Sequence, residues 1–198
     1  MSDERRTGRV ERKTAETEIE LELCLDGSGA ADVETGVGFF DHMLTAFARH
    51  GLFDLTVRCK GDLEVDAHHT VEDIGICLGL ALAEGVGDKA GLQRFGHSYV
   101  PMDEALARAV IDLSGRSYLV LEADFLDPMV GELPTTLVRE FFRAVTDNAR
   151  INLHLDLLRS RNDHHGIEAL FKACARALDQ ATLRSERVRG IPSTKGSL

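Results

Sequence analysis

The chain has no tryptophan, two tyrosines, four prolines and four cysteines in 198 residues. So little proline, beside 18 glycines and 43% apolar and 28% charged residues, excludes a proline-rich or low-complexity chain and describes a globular one. Cys24, Cys59, Cys77 and Cys174 share no paired spacing, which excludes Cys/His zinc-finger patterns; buried, reduced thiols in a cytoplasmic protein are expected. Positive charge is also short, because 23 Lys and Arg face 33 Asp and Glu for a formal charge of -10. Such a chain has no general attraction for nucleic acid or anionic membrane, although a local basic cluster can still hold a small phosphorylated ligand. No apolar run reaches the roughly 18 residues of a membrane span, and no secretory signal segment is visible. The length suits one ordinary domain or two small fused halves.

Periodicity then divides the chain. Residues 1–14 are charged and poor in apolar groups, and are expected to be a loose start. From Glu18 the sequence alternates, with Ile19, Leu21, Leu23 and Leu25 on one side and glutamates on the other, the mark of a half-buried strand. Asp26-Gly27 and a short strand at Ala31–Glu34 predict a hairpin. Phe40, Met43, Leu44 and Phe47 predict a helix stopped by Gly51. Leu52 to Cys59 alternates again, and a helix over about 70–85 follows, with Ile74, Leu78 and Leu82 as its stripe and Gly75 and Gly79 allowing close packing. The order recurs: strands at Ala107–Leu113 and Ser117–Phe125 joined by Ser114-Gly115-Arg116, a helix at Leu137–Ala149, a strand at Ile151–Leu158, and a helix from His165 to about Thr182. The expected fold is α+β, an internal duplication of two ββαβα halves, residues 1–90 and 91–198, divided between Gly87 and Pro101. Each half is a small sheet with two helices on one face, and the helices of the two halves pack together.

Two stretches read as copies: Asp66-Ala67-His68-His69-Thr70-Val71-Glu72-Asp73 and Asn162-Asp163-His164-His165-Gly166-Ile167-Glu168-Ala169, offset by 96 residues at all three His and Glu positions. Each opens an apolar run and belongs at a helix N-terminus. Residues four apart on a helix lie about 40° from each other around the axis and adjacent ones about 100°. His68 therefore shares a face with Glu72, and His164 with Glu168, while His69 and His165 point elsewhere. That arrangement suits two ions, each helix giving a His/Glu pair to one and its second His to the other. Imidazole with carboxylate favours Mn, Fe or Zn over copper, and the zincin pattern His-Glu-x-x-His is absent.

Two four-ligand sites need two more histidines. His42, off the core stripe of its helix, and His154, on the polar face of its strand, are the best candidates, although by spacing alone an ordinary satisfied or exposed His is the plainer reading of each; His50 and His97 have weaker cases. The tail Ile191-Pro192-Ser193-Thr194-Lys195-Gly196 offers a hydroxyl, a cation and backbone N–H groups, a possible phosphate hook, although a flexible terminus is the plainer reading.

These motifs carry a resemblance. Thr35-Gly36-Val37-Gly38-Phe39-Phe40-Asp41-His42-Met43-Leu44, the two His-His stretches, Met102-Asp103-Glu104-Ala105-Leu106, Asp112-Leu113-Ser114-Gly115-Arg116, Leu170-Phe171-Lys172-Ala173 and Pro192-Ser193-Thr194-Lys195-Gly196 follow the order seen in the imidazoleglycerol-phosphate dehydratases of histidine biosynthesis. The likeness runs from about Arg12 to the end and leaves no residues for the phosphatase fused to some members. It implies a ribosomal S5 domain 2-like fold and a cytoplasmic hydro-lyase with two Mn(2+) per subunit. It implies elimination of water from imidazole glycerol phosphate, giving imidazole acetol phosphate through a metal-bound imidazolate. It also implies a homo-oligomer of twenty-four subunits in which metals join neighbouring chains. By position, His42, His69, His164 and Glu168 would hold one ion and His68, Glu72, His154 and His165 the other. Arg94, Arg116, Lys172, Ser193 and Lys195 would grip the phosphate. Glu16 matches the family's acid/base glutamate, with Glu72 and Glu168 as further carboxylates for moving the proton. The imidazole ring explains the metals: the proton removed has no carbonyl beside it, so the ring itself must relay electrons to the departing hydroxyl. Two rival classes remain at this point, a non-catalytic metal-linked oligomer and a metallohydrolase.

Overall fold

The computed structural model describes residues 5–196 and 198. Alternation produces the first sheet. β2 (Thr17–Cys24) buries Thr17, Ile19, Leu21 and Leu23, and β4 (Asp54–Gly61) buries Leu55 and Val57 beside them. These two run antiparallel in the middle, with β1 (Thr7–Lys13) antiparallel on one edge and β3 (Ala31–Glu34) parallel on the other. The expected hairpin between the strands around 18–25 and 31–34 is therefore not formed. β3 lies beyond β4 because α1 (Gly38–Gly51) carries the chain back over the sheet, as parallel neighbours require. α2 (His68–Val86) closes this half.

The second half repeats the arrangement. β5 (Phe95–Met102), β6 (Ala105–Asp112), β7 (Tyr118–Glu122), α3 (Leu137–Ala149), β10 (Asn152–Arg159) and α4 (Asp163–Thr182) give the sheet order β5-β6-β10-β7, again with only the last pair parallel. The stretches at 107–113 and 117–125 thus do not pair with each other. A two-stranded ribbon, β8 (Met129–Val130) with β9 (Leu133–Pro134), is inserted before α3.

Leaving the ribbon aside, the main sheet of each half has one strand more than ββαβα. Of the expected loose start, residues 1–4 lie outside the described residues, and 7–13 form β1; the expected boundary near 87–101 contains most of β5. At one position in each, the strand lies so close to a helix that a side chain has no room. A Cβ at Gly8 would sit 2.0 Å from the Ala81 carbonyl oxygen, and one at Gly96 would sit 1.8 Å from that of Ala177. Glycine replaces the apolar residue that would have marked the strand. Gly51 also differs from expectation. The left-handed residue after α1 is Leu52, φ 57°, while Gly51 is the last helical residue and is glycine because a Cβ there would meet the Phe53 ring at 2.3 Å.

The helices form the joint between halves, α2 on α3 and α1 on α4. Gly75 and Gly79 permit the first contact, since their Cβ atoms would lie 2.8 Å from the Phe141 carbonyl oxygen and 2.6 Å from that of Val145. Phe40 and Phe141, 5.3 Å apart between ring centres, join the two halves within one core, and Phe171 stacks on Phe141 at 5.2 Å. Burying one such ring stabilises the fold by about 1.5–3 kcal/mol relative to leaving it exposed. Cys24, Cys77 and Cys174 are buried and all four thiols are free; Cys59, expected to be buried, is half-buried and packs against the edge of the core. No helix among the described residues is long and apolar enough to cross a membrane.

Candidate metal centre

The helix starts place the histidines. The Asn162 side chain accepts hydrogen bonds from the His164 and His165 backbone N–H groups, at 3.0 and 3.4 Å, and Asp66 accepts from that of His68 at 2.7 Å. Side-chain acceptors at these starts satisfy amides that have no partner in the helix and so lock the register of each His-His pair. At α4, Nε2 of His164 lies 3.2 Å from Oε2 of Glu168, one turn on, and Nε2 of His42, reaching across from α1, lies 3.1 Å from the same oxygen. The three ligand atoms all fall within 4.8 Å of one another, the one such convergence among the described residues. Phe39 sets its ring edge-on to His164 at 4.9 Å. The ribbon's approach is tied to the same helix, because Asp163 accepts from the Leu126 and Asp127 amides at 2.8 and 2.7 Å.

Glu168 is 5% exposed. Burial alone would push its carboxyl up; the Lys172 ammonium, 2.5 Å from Oε1, together with His42 more than offsets this and holds it below the usual carboxylate range. Two imidazole nitrogens around one ionised carboxylate form a borderline-to-hard donor set, which fits a divalent ion of the Mn, Fe or Zn type. No cysteine joins this group; burial pushes Cys59 and Cys77 up to about 11 and Cys174 up to about 12.

At α2, Nε2 of His68 faces Oε2 of Glu72 at 3.7 Å. His69 turns off that face. Its Nδ1 meets Asp62 at 3.0 Å and its Nε2 points to Glu16, 3.6 Å away in the turn between β1 and β2. Glu16 and Asp62 line an open hollow of about 300 Å³ with Lys13, Lys60 and Glu64. His165 repeats the pattern, Nδ1 on Glu104 at 2.8 Å and Nε2 toward Asp103 at 4.0 Å. The hydrogen bond it donates to Asp62 raises His69, the one it donates to Glu104 raises His165, and His165 in turn lowers Glu104.

The structure thus assembles His42 with His164 and Glu168, His68 with Glu72, and Glu16 with His69. It does not bring His69 to the first group. Nor does it bring His154 or His165 to the second; His154 is exposed on β10, opposite Val110 and Val120.

The basic residues divide in the same way. Arg94 grips Asp112 with Nε and Nη2, at 2.7 and 3.1 Å, and donates from Nη1 to the Pro192 carbonyl at 2.7 Å. The tail at Pro192 is therefore docked, not a flexible terminus as the plainer reading had it, because Arg94 reaches it through the third arm of its guanidinium. Ser193 and Lys195 form a turn there, and the Leu198 backbone lies against Gly115, next to the exposed Arg116. Lys172 is elsewhere. It touches Glu168 and the Met102 sulfur at 3.7 Å, and Met102 stands at the far end of β5 from Arg94, on the order of 26 Å along the strand at about 3.3 Å per residue. Asp62 and Glu104 escaped assignment from sequence, since a carboxylate in a loop carries no periodic signal.

The profile of the imidazoleglycerol-phosphate dehydratases matches residues 35–178. The chain belongs to the imidazoleglycerol-phosphate dehydratase family. The imidazoleglycerol-phosphate dehydratase of Salinibacter ruber is 62% identical over 193 residues, covering 98% of this chain and 96% of that protein, and that of Chloroflexus aggregans is 58% identical over 199 residues, covering 100% and 97%. Among solved structures, the imidazoleglycerol-phosphate dehydratase of Staphylococcus aureus superposes with a TM-score of 0.82 at 43% identity, covering 90% of this chain and 99% of that one. The Pyrococcus furiosus enzyme in complex with (S)-C348 gives 0.83 at 37% identity, covering 96% and 100%. Imidazoleglycerol-phosphate dehydratases are hydro-lyases of histidine biosynthesis, so this chain is an enzyme that removes water from a phosphorylated imidazole, and neither the non-catalytic reading nor the metallohydrolase reading survives.

Proposed function

We propose that the chain carries out this dehydration with two Mn(2+) per subunit, His42, His69, His164 and Glu168 holding one and His68, Glu72, His154 and His165 the other. The observation that carries the reading is the meeting of His42, His164 and Glu168 within 4.8 Å, from two helices far apart in sequence. His69 stands apart from that trio and His154 is exposed, so each set draws its remaining ligands from a neighbouring copy. This supports a large homo-oligomer, twenty-four subunits as the family resemblance implies, with residues 1–90 and 91–198 acting as one catalytic unit. Four free cysteines are in keeping with a reducing compartment, the cytoplasm.

The substrate would offer its imidazole nitrogens to the ions and its phosphate to the basic residues. Bound there, the ions supply Lewis acidity to a ring that must accept electron density. Glu16, 3.6 Å from Nε2 of His69, would take the proton from the carbon beside the ring and pass one to the departing hydroxyl. The docked tail supplies Ser193 and Lys195 beside Arg94 and Arg116, a cluster that holds phosphate and thereby orients the carbon chain. Lys172, held by Glu168 far from that cluster, would serve the phosphate of a substrate bound by a neighbouring chain.

The test is turnover of imidazole glycerol phosphate by metal-stripped protein with and without added Mn, followed through absorbance of the enolised ketone. Activity restored by Mn is expected; full activity in the stripped protein would overturn the metal reading.

A further inference from the structure

We propose that Asp62 and Glu104 are positioning residues that set the tautomer and ring orientation of His69 and His165, so that both rings present Nε2 as the ligand atom. This rests on the metal reading above, but its evidence is separate. An ionised carboxylate only accepts hydrogen bonds, so an Nδ1 held 3.0 Å from Asp62 or 2.8 Å from Glu104 carries the proton. In the neutral ring the lone pair is then on Nε2.

The same arrangement occurs twice, once in each half, which makes a chance contact a poor account of it. In both His-His pairs the first residue, His68 or His164, faces the Glu one turn along its own helix through Nε2, at 3.7 or 3.2 Å. The helix alone positions that ring. The second residue points off this face and has no helical partner, and in both halves a carboxylate from a loop supplies the missing contact. Asp62 comes from the loop before α2 and Glu104 from the turn between β5 and β6. Both loops are fastened in turn. The Asp62 amide donates to the Glu16 carbonyl at 3.1 Å, and Oε1 of Glu104 accepts from the Arg161 amide at 3.2 Å. A carboxylate behind a ligating imidazole fixes the ring and strengthens it as a donor, and losing such a partner typically weakens metal binding by about 10–100-fold.

The experiment is a Mn titration of the full protein, free ion being read by its electron paramagnetic resonance signal, for wild type, Glu104→Ala, Glu104→Gln, Asp62→Ala, Asp62→Asn and the neighbouring surface variant Glu64→Ala. Each of the two Ala variants at Asp62 and Glu104 should bind one ion per chain about 10–100-fold more weakly. The amide variants should recover much of this, because an amide oxygen still accepts from Nδ1, and Glu64→Ala should match wild type. Where an Ala variant fails to fold, its near-isosteric amide partner carries the test, with Mn affinity expected between wild type and a tenfold loss. Uptake by wild type with unchanged affinity in both Ala variants would overturn this inference alone. Amide variants as weak as the Ala ones, with the fold intact by circular dichroism, would overturn it too, since charge and not ring orientation would then matter. Absence of Mn uptake by wild type would instead remove the metal reading on which it rests.

Discussion

Replacing Glu168 by Gln tests the centre and its energetics at once. Glu168 is 5% exposed and its Oε1 lies 2.5 Å from the Lys172 ammonium, whose side chain is 17% exposed. Glutamine keeps the shape and removes the charge, leaving the ammonium without its counter-ion. Removing one partner of a buried pair costs about 3–5 kcal/mol, and the residual access of Lys172 to solvent puts this case near the lower end, about 3 kcal/mol. For a chain of this size each kcal/mol shifts Tm by about 2–4 °C, so a fall of roughly 6–12 °C is expected. The assay is thermal and urea unfolding in chelator at matched protein concentration. Adding Lys172→Met should return stability to within about 1 kcal/mol of wild type, because the stranded charge is gone. The sign with pH also follows. Glu168 is held below its ordinary value, so its contribution is present above the usual Glu range near 4.3 and is lost as pH falls through the lowered folded value. Glu168→Gln should lack that acid-side loss. A single variant as stable as wild type, or a double variant no better than the single, would refute the reasoning.

Gly96→Ala and Gly8→Ala should each cost about 1–3 kcal/mol or more in urea unfolding, because a Cβ within 2.0 Å of a helix carbonyl must push an edge strand away. Arg94→Ala should free the tail at Pro192, making it a target for limited proteolysis, and raise KM by about 10–100-fold, the worth of charged hydrogen bonds, while metal content by atomic absorption stays normal. In chelated protein the raised His69 and His165 contribute stability that is full below the ordinary His value near 6.5 and fades as pH rises through their folded values. Mn uptake should climb over that same interval, as proton release frees the ligands; uptake that is flat with pH there would contradict it.

The central strands, the four helices and both His-His starts were legible because their apolar residues recur at periods of 2 and 3.6, and local physics enforces those periods. Faces on one helix followed as well, so the pairing of His68 with Glu72 and of His164 with Glu168 needed no fold. What tertiary structure decided was of three kinds. Close approach erased the apolar mark of β1 and β5, where Gly8 and Gly96 stand against helix carbonyls. Strand order was settled by α1 and α3 crossing the sheets, which sends β3 and β7 to the far edge in place of the expected hairpins. Long-range convergence brought His42 to Glu168, Glu16 to His69, Arg94 to the tail, and Asp62 and Glu104 behind their histidines. Sequence by itself determined which residue types were available and which face of its own element each would occupy. Only the packing of one element on another determined which of them meet, because that depends on distances between segments that no local period encodes.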